Sequence, residues 1–269
     1  MLFEEIIYGP VRSRRLGVSL GVNLLPLHCK LCTFDCVYCE CGFNTPVLHP
    51  QLPSRLEVAQ ALEEKLRNMC DHDEEGARLD VITFSGNGEP TLHPDFERII
   101  ADTSRLRDSY CPSAKVSVLS NSTRLADPSV RRALMMVDNR ILKLDSAVTS
   151  TLRLIDQPVN EALDAGQVID LLSAFHGDFT LQTCFLRGDV LTPNPARDGH
   201  YLLGHIDNTT PAELAAWYAA VERLHPAHVM IYVIDRKTPV ETLQKIPADK
   251  MHAIAGPLVD KGFDVTVSC

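Results

Sequence analysis

The chain has 269 residues, 45% of them hydrophobic and 23% charged. That balance excludes a disordered chain, a fibre and a polytopic membrane protein, and the length suits one α/β domain or two small ones. The net charge of −9 argues against wrapping a large nucleic acid, an affinity that phosphate neutralisation mostly supplies. No stable nucleic-acid binding is therefore expected. The opening string MLFEEIIYGP lacks the basic-then-apolar pattern of a secretory signal, and no apolar run has the roughly 18 residues of a spanning helix. A cytoplasmic protein with no membrane partner is expected, its nine cysteines kept reduced.

In chain order, strand-like SLGVNLL begins at Ser19. Helical spacing follows at Leu56, Ala59, Leu62, Leu66 and Met69, behind the cap candidate Ser54. VITF from Val81 reads as a strand, Phe96, Ile99 and Ile100 as a helix after Pro94, and VSVL from Val116 as the next strand. A helix at Val130, Ala133, Leu134 and Val137 leads to ILKL from Ile141. A helical stripe at Val168, Leu171, Leu172 and Phe175 precedes TLQTCFL from Thr180. Leu214, Trp217, Val221 and Leu224 form a helix before VMIYVI from Val229. Met251, Ile254, Ala255, Leu258 and Val259 close at Gly262, and VTV from Val265 ends the series. Continuously apolar strands alternating with helices imply a parallel sheet covered on both faces. Six units and a terminal strand fall short of a full eight-unit barrel, so the fold class expected is an incomplete (β/α)6 TIM-type barrel with an extra C-terminal strand. A doubly wound open sheet has the same periodicity. One core domain spanning 1–269 is expected, and Arg187 to Thr210 reads as a long irregular loop, a candidate lid with Gly188, Gly199 and Gly204 as hinges.

Five cysteines, Cys29, Cys32, Cys36, Cys39 and Cys41, crowd the segment 29–41. Cys32, Cys36 and Cys39 have the C-x-x-x-C-x-x-C spacing of CTFDCVYC, directly after the first strand. Three thiolates on one short loop can hold three corners of a 4Fe-4S cluster and leave one iron open to a small molecule. A zinc knot using Cys29 as fourth ligand is the alternative, although its two C-x-x-C pairs stand closer together than in zinc ribbons. An iron–sulfur electron carrier is a further alternative, but it would have no use for an open iron.

CTFDCVYC, with the aromatic Tyr38 before its third cysteine, resembles the cluster loop of the radical S-adenosylmethionine (radical SAM) superfamily. VITFSGNGEPTL resembles that family's GGEP-type segment, here Gly86, Asn87, Gly88, Glu89 and Pro90. The flanking strings YGPVRSRRLG, LSNSTRL, LKLDS and FLRG resemble a subgroup of iron–sulfur oxidoreductases related to the wyosine-base synthesis enzymes, and the wider group is similar to the queuine lyases. The resemblance implies an enzyme whose cluster, held by Cys32, Cys36 and Cys39, reductively cleaves S-adenosylmethionine so that a 5′-deoxyadenosyl radical abstracts hydrogen from substrate. It implies cofactor-binding roles for Tyr38, Gly86, Gly88, Glu89, Pro90, Ser120, Asn121, Lys143 and Asp145, and a low-potential donor such as flavodoxin or ferredoxin. A small nucleobase-derived substrate, related to 7-deazaguanine or a tRNA base, is the expectation; a glycyl-radical activase is another family role.

The residues themselves leave other readings open. Gly86 and Gly88 also suit a turn closing a strand, Asn121 an Asx turn, and Asp145 a helix cap. Arg187, Tyr232, Asp235 and Arg236 near the ends of the later strands are candidates for substrate contact, although Arg187 also has Asp189 and Asp207 within reach. His200 and His205 show no ligand spacing, and Arg12, Arg14 and Arg15 form one small basic cluster.

Overall fold

The computed structural model describes residues 2–13, 15–71, 79–193 and 200–269, which excludes Arg14 and Gly199. The chain divides into two compact units: Met1–Cys32 with Asn44–Ile141, and Thr33–Phe43 with Leu142–Cys269.

The first unit is built on parallel strands with helices between them. An antiparallel pair, β1 (Ile7–Ser13) and β2 (Gly17–Val22), opens it, and α1 (Arg55–Asp71) leads to β3 (Val81–Phe84). A 3-10 turn at Pro90–Leu92 and α2 (Phe96–Tyr110) lead to β4 (Lys115–Ser120), then α3 (Pro128–Met135) and the start of β5 (Asn139–Lys143). β2 pairs β3 in parallel at Ser19 and Val81, and β3 pairs β4 at Val81 and Lys115. All four residues of β3 are buried, as its continuous apolar run requires. Asp127 caps α3 by accepting from the Ser129 N–H, and Pro128 occupies the first turn, where its missing N–H costs nothing.

The second unit continues the alternation with α4 (Thr149–Asp156), α5 (Ala165–Ser173), β6 (Thr180–Pro193), β7 (His200–Asp207), α6 (Pro211–Leu224), β8 (His228–Val233), β9 (Gln244–Lys245), α7 (Ala248–Asp260) and β10 (Val265–Ser268). β6 pairs β8 in parallel from Thr180 and His228, and β8 pairs β10 from Val229 and Val265. α5 carries a full capping box between Asp164 and Gln167. Trp217 of α6 is buried, stacks edge-on to Phe185 and donates its indole N–H to Thr183 Oγ1 at 3.0 Å.

The expected irregular loop from Arg187 to Thr210 is corrected. β6 runs on to Pro193 and turns back as β7, pairing Arg187 with Asp207 and Pro193 with His200 in an antiparallel hairpin. Gly188 and Gly204 lie inside paired strands. A Cβ on Gly188, at φ +142°, would sit 2.6 Å from the Thr242 carbonyl oxygen, and one on Gly204 would meet Leu154. Both glycines mark close packing, where the sequence reading had hinges. α4 is an element the sequence reading missed. Among the described residues, no helix is long and apolar enough to cross a membrane.

Candidate functional site

In the first unit, the cysteine segment and the glycine segment are laced together through backbone. The Leu31 N–H donates to the Asn87 carbonyl at 2.9 Å, and the Glu89 N–H donates to the Leu31 carbonyl at 3.1 Å. Leu31 and Gly88 thereby form a parallel bridge. Gly88 has φ +139°, and a Cβ there would lie 1.8 Å from the Leu31 carbonyl oxygen. The glycine is required by the chain one residue before Cys32. Asn87 is fully buried, donating from Nδ2 to the Phe3 and Pro26 carbonyls while its Oδ1 accepts from the Phe3 N–H.

Glu89 is a buried hub. Its carboxylate accepts from the Thr91 N–H, Thr91 Oγ1, Ser120 Oγ and the Asn121 N–H at 2.6–3.2 Å. Burial pushes its pKa up, and the four donors oppose that shift. The carboxylate therefore fixes the end of β4, and Pro90 opens the 3-10 turn behind it. Asn121 does two things: its Oδ1 accepts from the Thr123 N–H in an Asx turn, and its Nδ2 donates to Cys32 Sγ at 3.5 Å. Asn44 secures the Cys32 backbone from both sides, accepting its N–H and donating to its carbonyl.

In the second unit, Thr33–Phe43 is tied down by the Asp35 N–H to the Asp156 carbonyl and the Val37 N–H to the Ile155 carbonyl, both 2.9 Å. Val37 packs in a core with Ile155, Cys184, Leu186, Val190, Ile206 and Val240. Beside it lies a buried polar cluster. Lys143 Nζ donates to Cys36 Sγ at 2.9 Å and to Asp156 Oδ1 at 2.5 Å, and stands 3.1 Å from Asp145 Oδ2. The ammonium also lies over the Phe34 and Tyr38 rings, at 5.3 and 4.9 Å from their centroids. Asp145 Oδ2 accepts from the Tyr38 hydroxyl at 2.5 Å, and Oδ1 accepts from the Cys184 N–H at 2.9 Å. Asp145 caps no helix, since α4 begins beyond Val148.

Electrostatics follow from that arrangement. Burial opposes the charge on Lys143, but Asp145, Asp156 and Cys36 outweigh it and hold the ammonium well above its ordinary pKa. Burial, with the Asp145 charge adding to it, raises Tyr38 well above an ordinary phenol. Burial also lifts Asp156 to about 7 against the pull of Lys143. Asp156 had no signal in the sequence reading; it is the last residue of an unrecognised helix, brought to Lys143 only by the tertiary fold.

The candidate substrate residues are less gathered. The Tyr232 hydroxyl donates to the Tyr38 hydroxyl at 3.4 Å, with the rings edge-to-face. Arg187 donates to Gln244 Oε1, Asp235 pairs with Lys245, and Arg236 pairs with Glu40 of the cysteine segment at 2.6 Å. His205 pairs with Asp189 on the exposed hairpin. Among the described residues, no three His, Cys, Asp or Glu side chains converge as around a single metal ion.

The chain aligns over 93% of its length with a radical SAM methyltransferase from Sphaerobacter thermophilus, covering 65% of that chain, at TM-score 0.63 and 14% identity. It aligns over 93% with the FeFe-hydrogenase maturase HydG from Carboxydothermus hydrogenoformans, covering 53% of it, at TM-score 0.57 and 14% identity. A structure of TYW1 with a lysine–pyruvate adduct bound matches at TM-score 0.59 and 12% identity, over 91% of this chain and 74% of that one. The chain shares its fold with these three proteins. That fold is the incomplete α/β barrel that the strand–helix alternation predicted.

In sequence, the chain is 30% identical over 189 residues to a UPF0026 protein of Methanocaldococcus jannaschii, covering 70% of this chain and 52% of that protein. It is 29% identical over 252 residues to a protein of Brachyspira hyodysenteriae named GTPase Obg, covering 91% of this chain and 32% of that protein. The chain spans about a third to three fifths of the length of the curated relatives it matches. No protein-family model matches it.

Proposed function

We propose that the chain is a radical SAM enzyme acting on a small, nucleobase-derived substrate. Cys32, Cys36 and Cys39 would hold a 4Fe-4S cluster, which when bound supplies the electron that cleaves S-adenosylmethionine and starts hydrogen abstraction. The observation carrying this reading is that N–H donors meet two of the three motif sulfurs, Lys143 at Cys36 and Asn121 at Cys32. Such donors favour thiolate over thiol, the form that ligates iron. The donor set therefore suits the cluster, on a fold that radical SAM enzymes share.

The chain's own residues have separable tasks. Gly88 lets the Leu31 backbone close against the glycine segment, which sets the approach to Cys32. Glu89 holds Ser120 and the Asn121 backbone, so that the Asn121 amide meets Cys32. Asp145 holds Tyr38, whose ring meets Tyr232 edge to face and carries the Lys143 ammonium over it. The net charge of −9 favours a free base or nucleoside over intact tRNA. The electrons would come from a low-potential donor such as flavodoxin or ferredoxin.

The test is a substrate screen. Anaerobically reconstituted protein, reduced with dithionite and given S-adenosylmethionine, should form extra 5′-deoxyadenosine when small purine or deazapurine molecules are added. Turnover on intact tRNA with none on free bases or nucleosides would overturn the substrate class.

A further inference from the structure

The resemblance implied that Lys143 would serve the cofactor, yet the structure has its ammonium facing inward. Its Nζ meets Cys36 Sγ at 2.9 Å and Asp156 Oδ1 at 2.5 Å, with Asp145 Oδ2 at 3.1 Å. Its side chain is 12% exposed, and those of Asp145 and Asp156 are 0% and 2% exposed. Two carboxylates hold the cation, which lies over the rings of Phe34 and Tyr38. Asp145 is itself held by the Cys184 N–H and the Tyr38 hydroxyl, and the backbone on either side of Cys36 is pinned to Asp156 and Ile155. Neither end of the Lys143–Cys36 contact is free to swing away.

We infer that Lys143 is a positioning residue for the cluster, a fixed cation donating to Cys36 Sγ that makes one-electron reduction easier. The inference rests on the cluster reading given above. Reduction brings one electron from a low-potential one-electron donor and adds one negative charge next to Cys36. An ammonium in hydrogen-bond contact with the ligand sulfur stabilises that added charge, because hydrogen bonds to cluster sulfurs and the local net charge set the potential. Asp145 and Asp156 make the cation tolerable in a buried place, and they also moderate its field at the sulfur. A cation held in this way is poorly placed to leave for a ligand carboxylate.

The single change Lys143→Met would strand two buried carboxylates, so the test uses Asp156→Asn and the double variant Lys143→Met/Asp156→Asn, each checked for a parent-like circular dichroism spectrum and melt. Iron and sulfide are counted first, then the midpoint potential is measured without S-adenosylmethionine, and finally the affinity for it. The double variant should load iron, and its equilibrium constant for reduction should be about tenfold below that of Asp156→Asn, or ~59 mV for one electron. Affinity for S-adenosylmethionine should agree within about threefold between the two variants. Equal potentials in the two variants overturn the inference, as does a tenfold loss of affinity with the potential unchanged, which would return Lys143 to the cofactor. A double variant that folds like Asp156→Asn but takes up no iron also overturns it, because Lys143 would then be needed for assembly. A parent protein that binds no iron overturns the cluster reading itself, and the inference falls with it.

Discussion

Replacing Gly88 by alanine tests whether the glycine segment serves the protein's own backbone as well as a ligand. The added Cβ would lie 1.8 Å from the Leu31 carbonyl oxygen and 2.5 Å from its carbon, both backbone atoms without a flexible end to move aside. The φ of +139° adds strain for any side chain, of order 1–3 kcal/mol. Relieving the clash means parting Leu31 from residues 87–89 and losing two backbone hydrogen bonds, each worth about 0.5–1.5 kcal/mol. Together these place the cost at roughly 2–6 kcal/mol. Gly42→Ala is the matched control: its φ is +82°, but nothing lies within 4 Å of the new Cβ, so only the conformational cost of about 1 kcal/mol remains. Urea unfolding of the iron-free proteins measures both. Gly88→Ala within 1 kcal/mol of the Gly42→Ala variant would refute the argument and leave Gly88 with a ligand-only role.

Asp145→Ala should cost about 3–5 kcal/mol in the same assay, because it removes one partner of a buried ion pair and strands the Cys184 N–H. A cost below 1 kcal/mol would deny Asp145 its place as an anchor. Asp138 accepts from the Val116 N–H at 2.8 Å and Arg107 at 2.9 Å; burial pulls its pKa up, but these donors hold it below the ordinary Asp value. Its contribution is therefore present above the unfolded-state pKa and lost as pH falls through the folded value. Asp138→Asn should cost about 1–2 kcal/mol at neutral pH, with the gap closing in acid; a gap that widens below pH 4 would contradict the sign. Among the thiols, Cys32→Ala, Cys36→Ala and Cys39→Ala should each lose most of the iron, while Cys269→Ala, exposed at the chain end, should keep it. Equal loss from all four would defeat the ligand assignment.

The strands that were legible in the sequence were those whose burial is complete. VITF became β3 residue for residue because all four side chains are covered, and the stripe from Met251 to Leu258 became the buried face of α7. The hairpin was missed because RGDVLTPNPARDG carries two prolines and two glycines, punctuation that reads as a loop. Yet β6 and β7 satisfy their backbones on each other, and Gly188 is where the Thr242 chain approaches. α4 was missed because Thr149–Asp156 offers only Leu152 and Ile155 as buried apolar positions, too few to show a period. The candidate site was legible where it is local: the cysteine spacing, the glycine segment, and Ser120 and Asn121 at the end of β4. The Lys143–Asp156–Cys36 cluster was not, since its members are far apart in the chain and no spacing rule links them. The four internal donors on the Glu89 carboxylate have no counterpart in the local sequence pattern, since Ser120 and Asn121 reach it only through the fold.

The central claim is tested most directly by following S-adenosylmethionine on the reconstituted protein. Anaerobic protein carrying about four irons per chain, once reduced, should convert it to 5′-deoxyadenosine and methionine in equal amounts, and Cys36→Ala should abolish both. A fully loaded, reduced parent that leaves S-adenosylmethionine intact, or a Cys36→Ala variant that cleaves it as well as the parent, would contradict the account.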